Sequence, residues 1–244
     1  MKKILGCIRR ADQDFGMIAA GDRVCVGLSG GKDSMVLLEA LSLYRRFSKM
    51  PYTLQAVTVS LGMQPFDTAP IAARCAELGV PYTVVDTEIG DVVFNIRKEK
   101  NPCALCAKMR RGALYNAARR LGCNKVALGH HREDALETFF LCLFYESRLA
   151  TFSPVTYLSR TDLTMIRPMI YAPEKHIISV ARALCVPVVP SPCPANGNTQ
   201  RQEIKEWMKT LHRFQPNMEE RMLTALRTPE RYNLWDRRVG REED

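Results

Sequence analysis

Long apolar runs are absent from this sequence, and so are internal repeats and low-complexity tracts. A membrane-spanning helix needs roughly 18 consecutive apolar residues, and no stretch approaches that length. The first residues, MKKILGCIRRADQDF, also lack the long apolar core of a secretion signal. We therefore expect a cytoplasmic protein with no membrane partner.

Acidic residues are fewer than basic ones: the sequence has 26 Asp and Glu but 35 Lys and Arg, which gives a net charge of +9. Much of the excess lies in four clusters, at 45–49, 97–100, 108–111 and 119–125. Basic clusters attract polyanions, which makes RNA a reasonable partner. A merely solvated basic surface explains the charge equally well.

A disulfide scaffold is excluded by context, because nine cysteines in a cytoplasmic chain stay reduced. Four of them lie within apolar patterns and are expected to be inert core thiols: Cys25, Cys123, Cys142 and Cys185. Three others have prolines and loop residues as neighbours: Cys103, Cys106 and Cys193. These three are the candidates for chemistry.

Strand-like and helix-like segments alternate along the chain. Strand patterns occupy 24–28, 54–59, 82–85 and 125–128, and helical patterns occupy 34–46, 69–78, 106–121 and 133–146. Such alternation predicts an α/β fold with a doubly wound, mostly parallel sheet. We interpret residues 1–244 as one domain.

A small C-terminal α/β extension is predicted from about residue 150. Short strands at 155–157 and 163–166 flank SRTD, which is suited to a hairpin turn, and a helix is expected over 174–184. A proline-dense loop then carries Cys193, and a polar helix is expected over about 199–210.

The motif LSGGKDS, residues 28–34, lies between the first strand and the first predicted helix. Such a loop points backbone N–H groups at an anion, and Gly30 and Gly31 let the backbone approach it closely. Lys32 can neutralise a phosphate oxygen, while Ser29 and Ser34 can donate hydrogen bonds. Asp33 suits a metal ion bound beside the phosphate, or a helix cap.

Two common phosphate-binding motifs do not fit this loop. A Walker A loop needs four residues between its glycine and the Gly-Lys pair, but three separate Gly27 from Gly31, and Asp33 follows the lysine. The dinucleotide fingerprint G-x-G-x-x-G is absent. The motif instead resembles S-G-G-x-D-S, the pyrophosphate loop (PP-loop) of the ATP pyrophosphatases, which cleave ATP between its α- and β-phosphates.

The cysteine pair in PCALC brings two thiols to one ion or to each other. With Cys193, a set of three would leave an open coordination position, which suits catalysis. Spacing alone leaves several alternatives open: zinc, an iron–sulfur cluster, a zinc knuckle completed by His130, His131 or an aspartate, or a redox dithiol.

Five ordered motifs resemble the tRNA-cytidine 2-sulfurtransferases. They are RRADQDFGMIAAGDRVCVGLSGGKDSMVLL, PCALCAKMRRGALY, LGHHREDALETFF, RPMIYAPEKHI, and the stretch from Pro192-Cys193 to Gln200-Arg201-Gln202. The resemblance implies a PP-loop ATPase fold of the HUP type, ATP with Mg²⁺, and a [4Fe-4S] cluster. Its ligands would be Cys103, Cys106 and Cys193, with one iron lacking a protein ligand.

The same resemblance implies the reaction and its other residues. ATP would adenylate the C2 oxygen of a tRNA cytidine, position 32 in the family, and sulfur from a cysteine desulfurase or another sulfide source would replace it. We expect Gly129, His130 and His131 at the ATP site, and Asp134 to bind the metal or to move a proton. Arg110, together with Arg111, would meet a phosphate.

Two positions depart from the family pattern, and the acidic one leaves the exact ATP and metal contacts open. Pro190 replaces a frequent cysteine, and Glu133 replaces the first of two usual aspartates. Two other functions are weighed: a PP-loop enzyme acting on another nucleoside, and a non-catalytic nucleotide or cluster sensor. A homodimer is left open.

Overall fold

The computed structural model describes residues 1–63, 66–98, 102–190, 200–232 and 234. Its strands are β1 (Arg23–Gly27), β2 (Thr53–Val59), β3 (Tyr82–Val85), β4 (Lys125–Ala127), β5 (Val155–Leu158) and β6 (Leu163–Ile166). Its helices are α1 (Lys2–Phe15), α2 (Lys32–Tyr44), α3 (Ala69–Glu77), α4 (Ile89–Asp91, continuing as a π-helix over Val92–Arg97), α5 (Pro102–Arg120), α6 (Arg132–Glu146), α7 (Glu174–Ala183), α8 (Gln200–Phe214) and α9 (Met218–Arg227). A single 3₁₀ turn, Pro229–Arg231, follows α9.

The six strands form one sheet in the order β3-β2-β1-β4-β6-β5. All neighbouring pairs are parallel except β5 and β6, which form an antiparallel hairpin at the sheet edge. The mostly parallel α/β sheet predicted from the alternating pattern is confirmed. The SRTD hairpin is present as well, and β6 joins the main sheet by pairing with β4.

Both faces of the sheet are covered, which explains why its strands are apolar at consecutive positions. In β1, Val24 and Val26 pack with α1, α2 and α7, whereas Cys25 packs with α4 and α5 on the other face. In β2, Leu54 and Ala56 pack on the first face, and Val57 and Val59 on the second. The two-residue period of a strand produces this division.

Two cysteine predictions need correction. Helix α5 begins at Pro102, four residues before the predicted start at Cys106, so Cys103 lies on its first turn and not in a loop. Proline suits the first helical position because its missing N–H would have no helical acceptor there. Cys185 is exposed just after α7, with a positive φ of 45°, and is therefore not a core thiol. Cys25, Cys123 and Cys142 are buried as predicted.

Three connections leave the sheet at its carboxyl edge, where parallel α/β proteins bind their ligands. They are the loop between β1 and α2, the loop between β4 and α6, and the segment after β6. Helix α5 leads into the amino end of β4, so its own first turn also lies toward the carboxyl edge. Within the described ranges, no helix is long and apolar enough to cross a membrane.

Candidate active site

The PP-loop is held in shape by its two serines. The backbone N–H of Ser29 donates to Ser34 Oγ at 3.1 Å, and the two hydroxyl oxygens lie 3.2 Å apart. The Ser34 hydroxyl also donates to the Gly31 carbonyl at 2.9 Å, and the Gly31 N–H donates to Ser29 Oγ at 3.3 Å. The loop is therefore ordered directly before the positive end of α2.

Gly30 occupies a position that only glycine fits. Its φ is +80°, and a Cβ built there would lie 2.7 Å from Phe66 Cζ and 3.3 Å from Val189 Cβ. The Gly30 carbonyl accepts a hydrogen bond from the Val189 N–H at 2.9 Å. The chain that precedes segment 191–199 therefore packs directly on the PP-loop.

Lys32 belongs to a half-buried charge network. Its Nζ lies 3.1 Å from Asp33 Oδ1 and 3.1 Å from Glu174 Oε1, and Lys205 Nζ lies 2.8 Å from Glu174 Oε2. Burial acts to lower the pKa of Lys32, but the carboxylates of Asp33 and Glu174 outweigh it and raise the pKa. Lys32 is thus a full positive charge beside the phosphate loop.

The loop after β4 contacts the PP-loop through Gly129. A Cβ on Gly129 would lie 3.0 Å from the backbone nitrogen of Ser34, so the close approach favours glycine. His131, which precedes α6, is 3% exposed, and its backbone N–H donates to Asp134 Oδ2 at 2.9 Å. Its Nε2 lies 3.9 Å from Asp33 Oδ1, which joins the two loops.

His131 is surrounded by carboxylates. Its Nδ1 lies 3.3 Å from Glu133 Oε2 and its Nε2 lies 3.5 Å from Asp134 Oδ2. Burial acts to lower the pKa of His131, but Glu133, Asp134 and Asp33 outweigh it and raise the pKa above 6.5. Asp134, predicted as a metal or proton-transfer residue, lies at the site and also caps α6.

Glu133, the departure from the family pattern, ties two helices together. Its Oε2 accepts the Glu174 N–H at 2.8 Å at the start of α7, and its Oε1 lies 2.7 Å from Arg132 Nη2. Burial acts to raise the pKa of Glu133, but His131 and Arg132 outweigh it and lower the pKa to about 2. This carboxylate therefore has a structural role beside the site.

Glu133→Gln is expected to destabilise the protein at pH 7 by on the order of 3 kcal/mol, because the folded state holds this carboxyl ionised at a pKa of about 2 against an ordinary 4.5. The depressed pKa contributes stability that is present above pH 4.5 and is lost as the pH falls toward 2. Urea unfolding between pH 7 and pH 3 measures it. Glu146→Gln, an exposed carboxyl on α6, is the control; equal acid sensitivity in both variants would contradict the assignment.

A second cluster surrounds His130. Arg167 follows β6 and donates from Nε to His130 Nδ1 at 3.3 Å, and from Nη1 to the Ser153 carbonyl. The Phe152 ring lies 4.4 Å from the Arg167 guanidinium and 5.1 Å from the His130 ring. Burial, with a contribution from Arg167, lowers the pKa of His130 to about 4. The pKa values of the two adjacent histidines are therefore shifted in opposite directions.

The first turn of α5 presents the cysteine pair. Cys103 is exposed and Cys106 is buried, and residues three apart on a helix lie on one face. Arg110 is half-buried one turn after Cys106, and Arg111 Nε donates to the Ala107 carbonyl at 3.2 Å. Cys193, the third predicted ligand, lies outside the described residues.

Both described flanks of segment 191–199 lie at the site. Val189 contacts Gly30, as noted above, and Arg201 lies on the first turn of α8 on the other side. The Arg201 Nη1 lies 3.1 Å from Glu137 Oε2 and 3.9 Å from Asp134 Oδ1. The chain therefore leaves and re-enters the described structure beside the PP-loop and α6.

The residues present fit the groups that the resemblance implies. Asp33 Oδ1 is buried and accepts no hydrogen bond from the described residues, although Lys32 lies beside it, which suits a Mg²⁺ ligand. Two thiols on one helical face suit an iron–sulfur cluster. No group of three His, Cys, Asp or Glu able to hold a metal ion occurs among the described residues, so the cluster site would need Cys193.

Sequence reasoning missed Glu174, Lys205 and Arg167, each of which reaches the site from a distant segment. Arg167 and Glu174 are the first and last residues of RPMIYAPE, a motif noticed only for its resemblance. The one available signal was an arginine directly after a predicted strand, since strand ends line the ligand edge of a parallel sheet.

Comparisons with known proteins show the family of this chain. A family model described as the PP-loop domain matches residues 7–209. A tRNA-cytidine(32) 2-sulfurtransferase from Geobacter metallireducens is 38% identical over 98% of this chain and 95% of the relative. A relative of the same name from Alkalilimnicola ehrlichii is 35% identical over 98% of this chain and 76% of its own length.

Among solved structures, the U34-tRNA thiolase NcsA from Methanococcus maripaludis, with its [4Fe-4S] cluster, has a TM-score of 0.72 at 24% identity. The match covers 93% of this chain and 78% of that one, and it supports the fold. The resemblance seen in the motifs is confirmed by the curated relatives, which match along almost the whole chain. This chain belongs to the tRNA-cytidine(32) 2-sulfurtransferase family of PP-loop proteins.

Proposed function

We propose that this protein is an ATP-dependent tRNA sulfurtransferase that converts a cytidine, at position 32 of tRNA, to 2-thiocytidine. The observation that carries the proposal is spatial. The PP-loop and the first turn of α5, with Cys103 and Cys106, both lie toward the carboxyl edge of one parallel sheet. A nucleotide-activating loop and a soft thiolate site are thereby brought to one place.

The first step is adenylation of the base. The C2 oxygen of cytidine attacks the α-phosphorus of ATP, a new O–P bond forms, and the bond to the β-phosphate breaks to release pyrophosphate. Backbone N–H groups at Gly30 and Gly31, the positive end of α2 and Lys32 offset the charge that develops on the phosphates. Mg²⁺ held by Asp33 would supply further neutralisation of the pyrophosphate.

The second step is substitution by sulfur. A sulfide sulfur attacks C2, a C–S bond forms, and the C–O bond breaks as AMP leaves. The cluster, when bound by Cys103, Cys106 and Cys193, supplies an iron without a protein ligand at which sulfur can be delivered. The two flanks of segment 191–199 lie beside the PP-loop and α6, which supports Cys193 as the third ligand.

Neighbouring residues assist each step. His131 lies between Asp33 and Asp134, and Asp134 is placed to accept a proton as the base changes its bonding. Arg110 is one helical turn from Cys106, where it can contact a phosphate of the RNA. The target base must leave its stack to reach this edge, which suits an anticodon-loop nucleotide.

Anaerobic reconstitution tests the function. The full chain is purified without oxygen, its iron and sulfide are measured, and it is incubated with tRNA, ATP, Mg²⁺ and sulfide. We expect about four irons per chain, as the cluster requires, and 2-thiocytidine by mass spectrometry of the digested tRNA. AMP and pyrophosphate should appear in equal amounts.

Other outcomes would overturn parts of the proposal. A colourless, fully active protein with one tight zinc would refute the cluster, and a thiolated uridine would assign a different substrate nucleoside. ATP binding without AMP formation in the complete mixture would indicate a sensor. A PP-loop enzyme that adds lysine to cytidine is disfavoured, because that reaction does not need the cysteine pair.

The proposal extends to partners and compartment. The sulfur is supplied by a cysteine desulfurase or by another sulfide source, and the tRNA substrate agrees with a cytoplasmic location. Light scattering of the reconstituted enzyme, with and without tRNA, decides between a monomer and a homodimer. Thiolation with sulfide alone, measured against desulfurase plus cysteine, identifies the better donor.

A further inference from the structure

Arg167 is a buried cation with no carboxylate partner among the described residues. Only 6% of the Arg167 surface is exposed to solvent. Within the part of the chain that the structure describes, no ion pair joins Arg167 to an Asp or Glu. Burying an unpaired charge is costly, so buried arginines ordinarily have an anionic partner. An arginine buried in this way needs an explanation.

The hydrogen bonds of Arg167 use only part of its donor capacity. A guanidinium has five N–H donors. Nε–H is directed to His130 Nδ1 and Nη1 to the Ser153 carbonyl, and both acceptors are neutral. Phe152 covers one face of the guanidinium at 4.4 Å. The charge is therefore held in a fixed plane by neutral groups, with donors left over for a further acceptor.

The surroundings of Arg167 add positive charge. Burial lowers the pKa of Arg167 to about 10; Tyr115 opposes this shift and Arg111 on α5 adds to it, and the guanidinium stays protonated at neutral pH. Tyr115, one turn beyond Arg111, donates from its hydroxyl to Met165 Sδ at 3.3 Å, which places this part of α5 over β6. Two like charges without a carboxylate between them favour an anionic ligand.

The location narrows the kind of anion. Arg167 directly follows β6, which pairs with β4, and β4 pairs in turn with β1, whose end carries the PP-loop. Arg111 lies five residues after Cys106, or about 7.5 Å along the helix. Arg167 therefore lies at the ligand edge, on the side of the cysteine helix.

We propose that Arg167 is a substrate-binding residue that takes a phosphate group in the reaction site, with Arg111 as a second positive charge. The inference deepens the proposed function, on which it rests for its choice of phosphate. The planar, stacked guanidinium suits two parallel hydrogen bonds to phosphate oxygens. Two sources share this chemistry: the α-phosphate of the nucleotide and the RNA backbone.

Binding measurements on the full chain separate the two sources. AMP and a tRNA anticodon stem-loop are titrated separately, without sulfide, into wild type, Arg167→Gln and Arg167→Lys. We expect Arg167→Gln to weaken one of the two ligands roughly 10- to 100-fold, as for loss of a hydrogen bond to a charged group, and Arg167→Lys to weaken it less. Arg160→Gln, an exposed arginine in the β5–β6 turn at the opposite edge, should change neither.

Each result has one meaning. Weaker AMP binding assigns the nucleotide phosphate, and weaker RNA binding assigns the backbone; either supports the proposal. Both affinities within twofold of wild type, or equal weakening of both ligands with a lowered melting temperature in both Arg167 variants, would show that Arg167 only holds Ser153 and Phe152 in place. If neither variant folds, the Nε–Hε NMR signal of Arg167 in the wild-type protein decides whether a ligand binds there, since this signal shifts on adding AMP or RNA only if the ligand reaches Arg167.

These titrations measure binding and need no sulfur transfer. If the protein makes no 2-thiocytidine, the proposed function is refuted, but the binding test of Arg167 remains valid.

Discussion

Replacing Lys32 by methionine is expected to slow AMP formation by about 10²- to 10³-fold, the range seen when one charge-stabilising donor is removed from an active site. The loss arises because Lys32 is the ammonium group of the PP-loop and lies between Asp33 and Glu174. Glu174 keeps its 2.8 Å ion pair with Lys205, so the variant should fold. The rate is followed by AMP release from radiolabelled ATP in the presence of tRNA.

Lys209→Met is the matched control for that experiment. Lys209 is an exposed lysine of α8 that pairs with Glu206 at 2.7 Å, and its loss removes the same charge from the protein surface. The control should release AMP at the wild-type rate. A Lys32→Met protein that is as fast as the control would remove Lys32 from the phosphate site.

Cys103→Ser and Cys106→Ser are each expected to abolish 2-thiocytidine formation, with a loss of at least about 10³-fold, the order typical when an essential catalytic residue is removed. A hydroxyl does not replace a thiolate as a ligand to a soft metal site. Iron content should fall with activity, whereas ATP affinity should stay unchanged because the PP-loop is built from β1 and α2. Nucleoside mass spectrometry, iron analysis and ATP titration measure the three quantities.

The two cysteines differ in a way that separates chemistry from folding. Cys106 is buried in the apolar cluster under α5, so serine there also disturbs packing, whereas Cys103 is exposed and its replacement leaves the core intact. Cys185→Ser, an exposed thiol after α7, is the control and should keep full activity and iron. Normal iron and thiolation in Cys103→Ser would exclude that residue as a ligand.

The parallel sheet was predictable because its signals are local. Apolar runs such as 24–28 and 54–59, separated by helical patterns, are determined by neighbouring residues and by burial on both faces of the sheet. The loop motif LSGGKDS was equally predictable, since a phosphate-binding loop needs small residues that let its backbone N–H groups approach the anion. Helix α5 was predicted, but its start was placed at Cys106 because the proline at 102 was interpreted as loop and not as a first helical residue.

The charge network was not predictable, because its members come from separate parts of the chain. Lys32 and Glu174 are 142 residues apart and meet only after α7 packs against α2. Glu133 looked like an altered ATP or metal contact, yet it accepts the Glu174 N–H and pairs with Arg132. Its role depends on which helix end lies opposite, and a one-dimensional pattern carries no such information.

By itself, the sequence determined that this chain is an α/β protein with a phosphate loop and a cysteine pair, because those features depend on residue type and short spacing. The tertiary structure alone decided that burial beside Arg167 lowers the pKa of His130, whereas three carboxylates raise the pKa of its neighbour His131. It alone brought Arg167 to the ligand edge, where no Asp or Glu of the described residues pairs with it. Protonation state and pairing are properties of distances between segments, and only folding sets those distances.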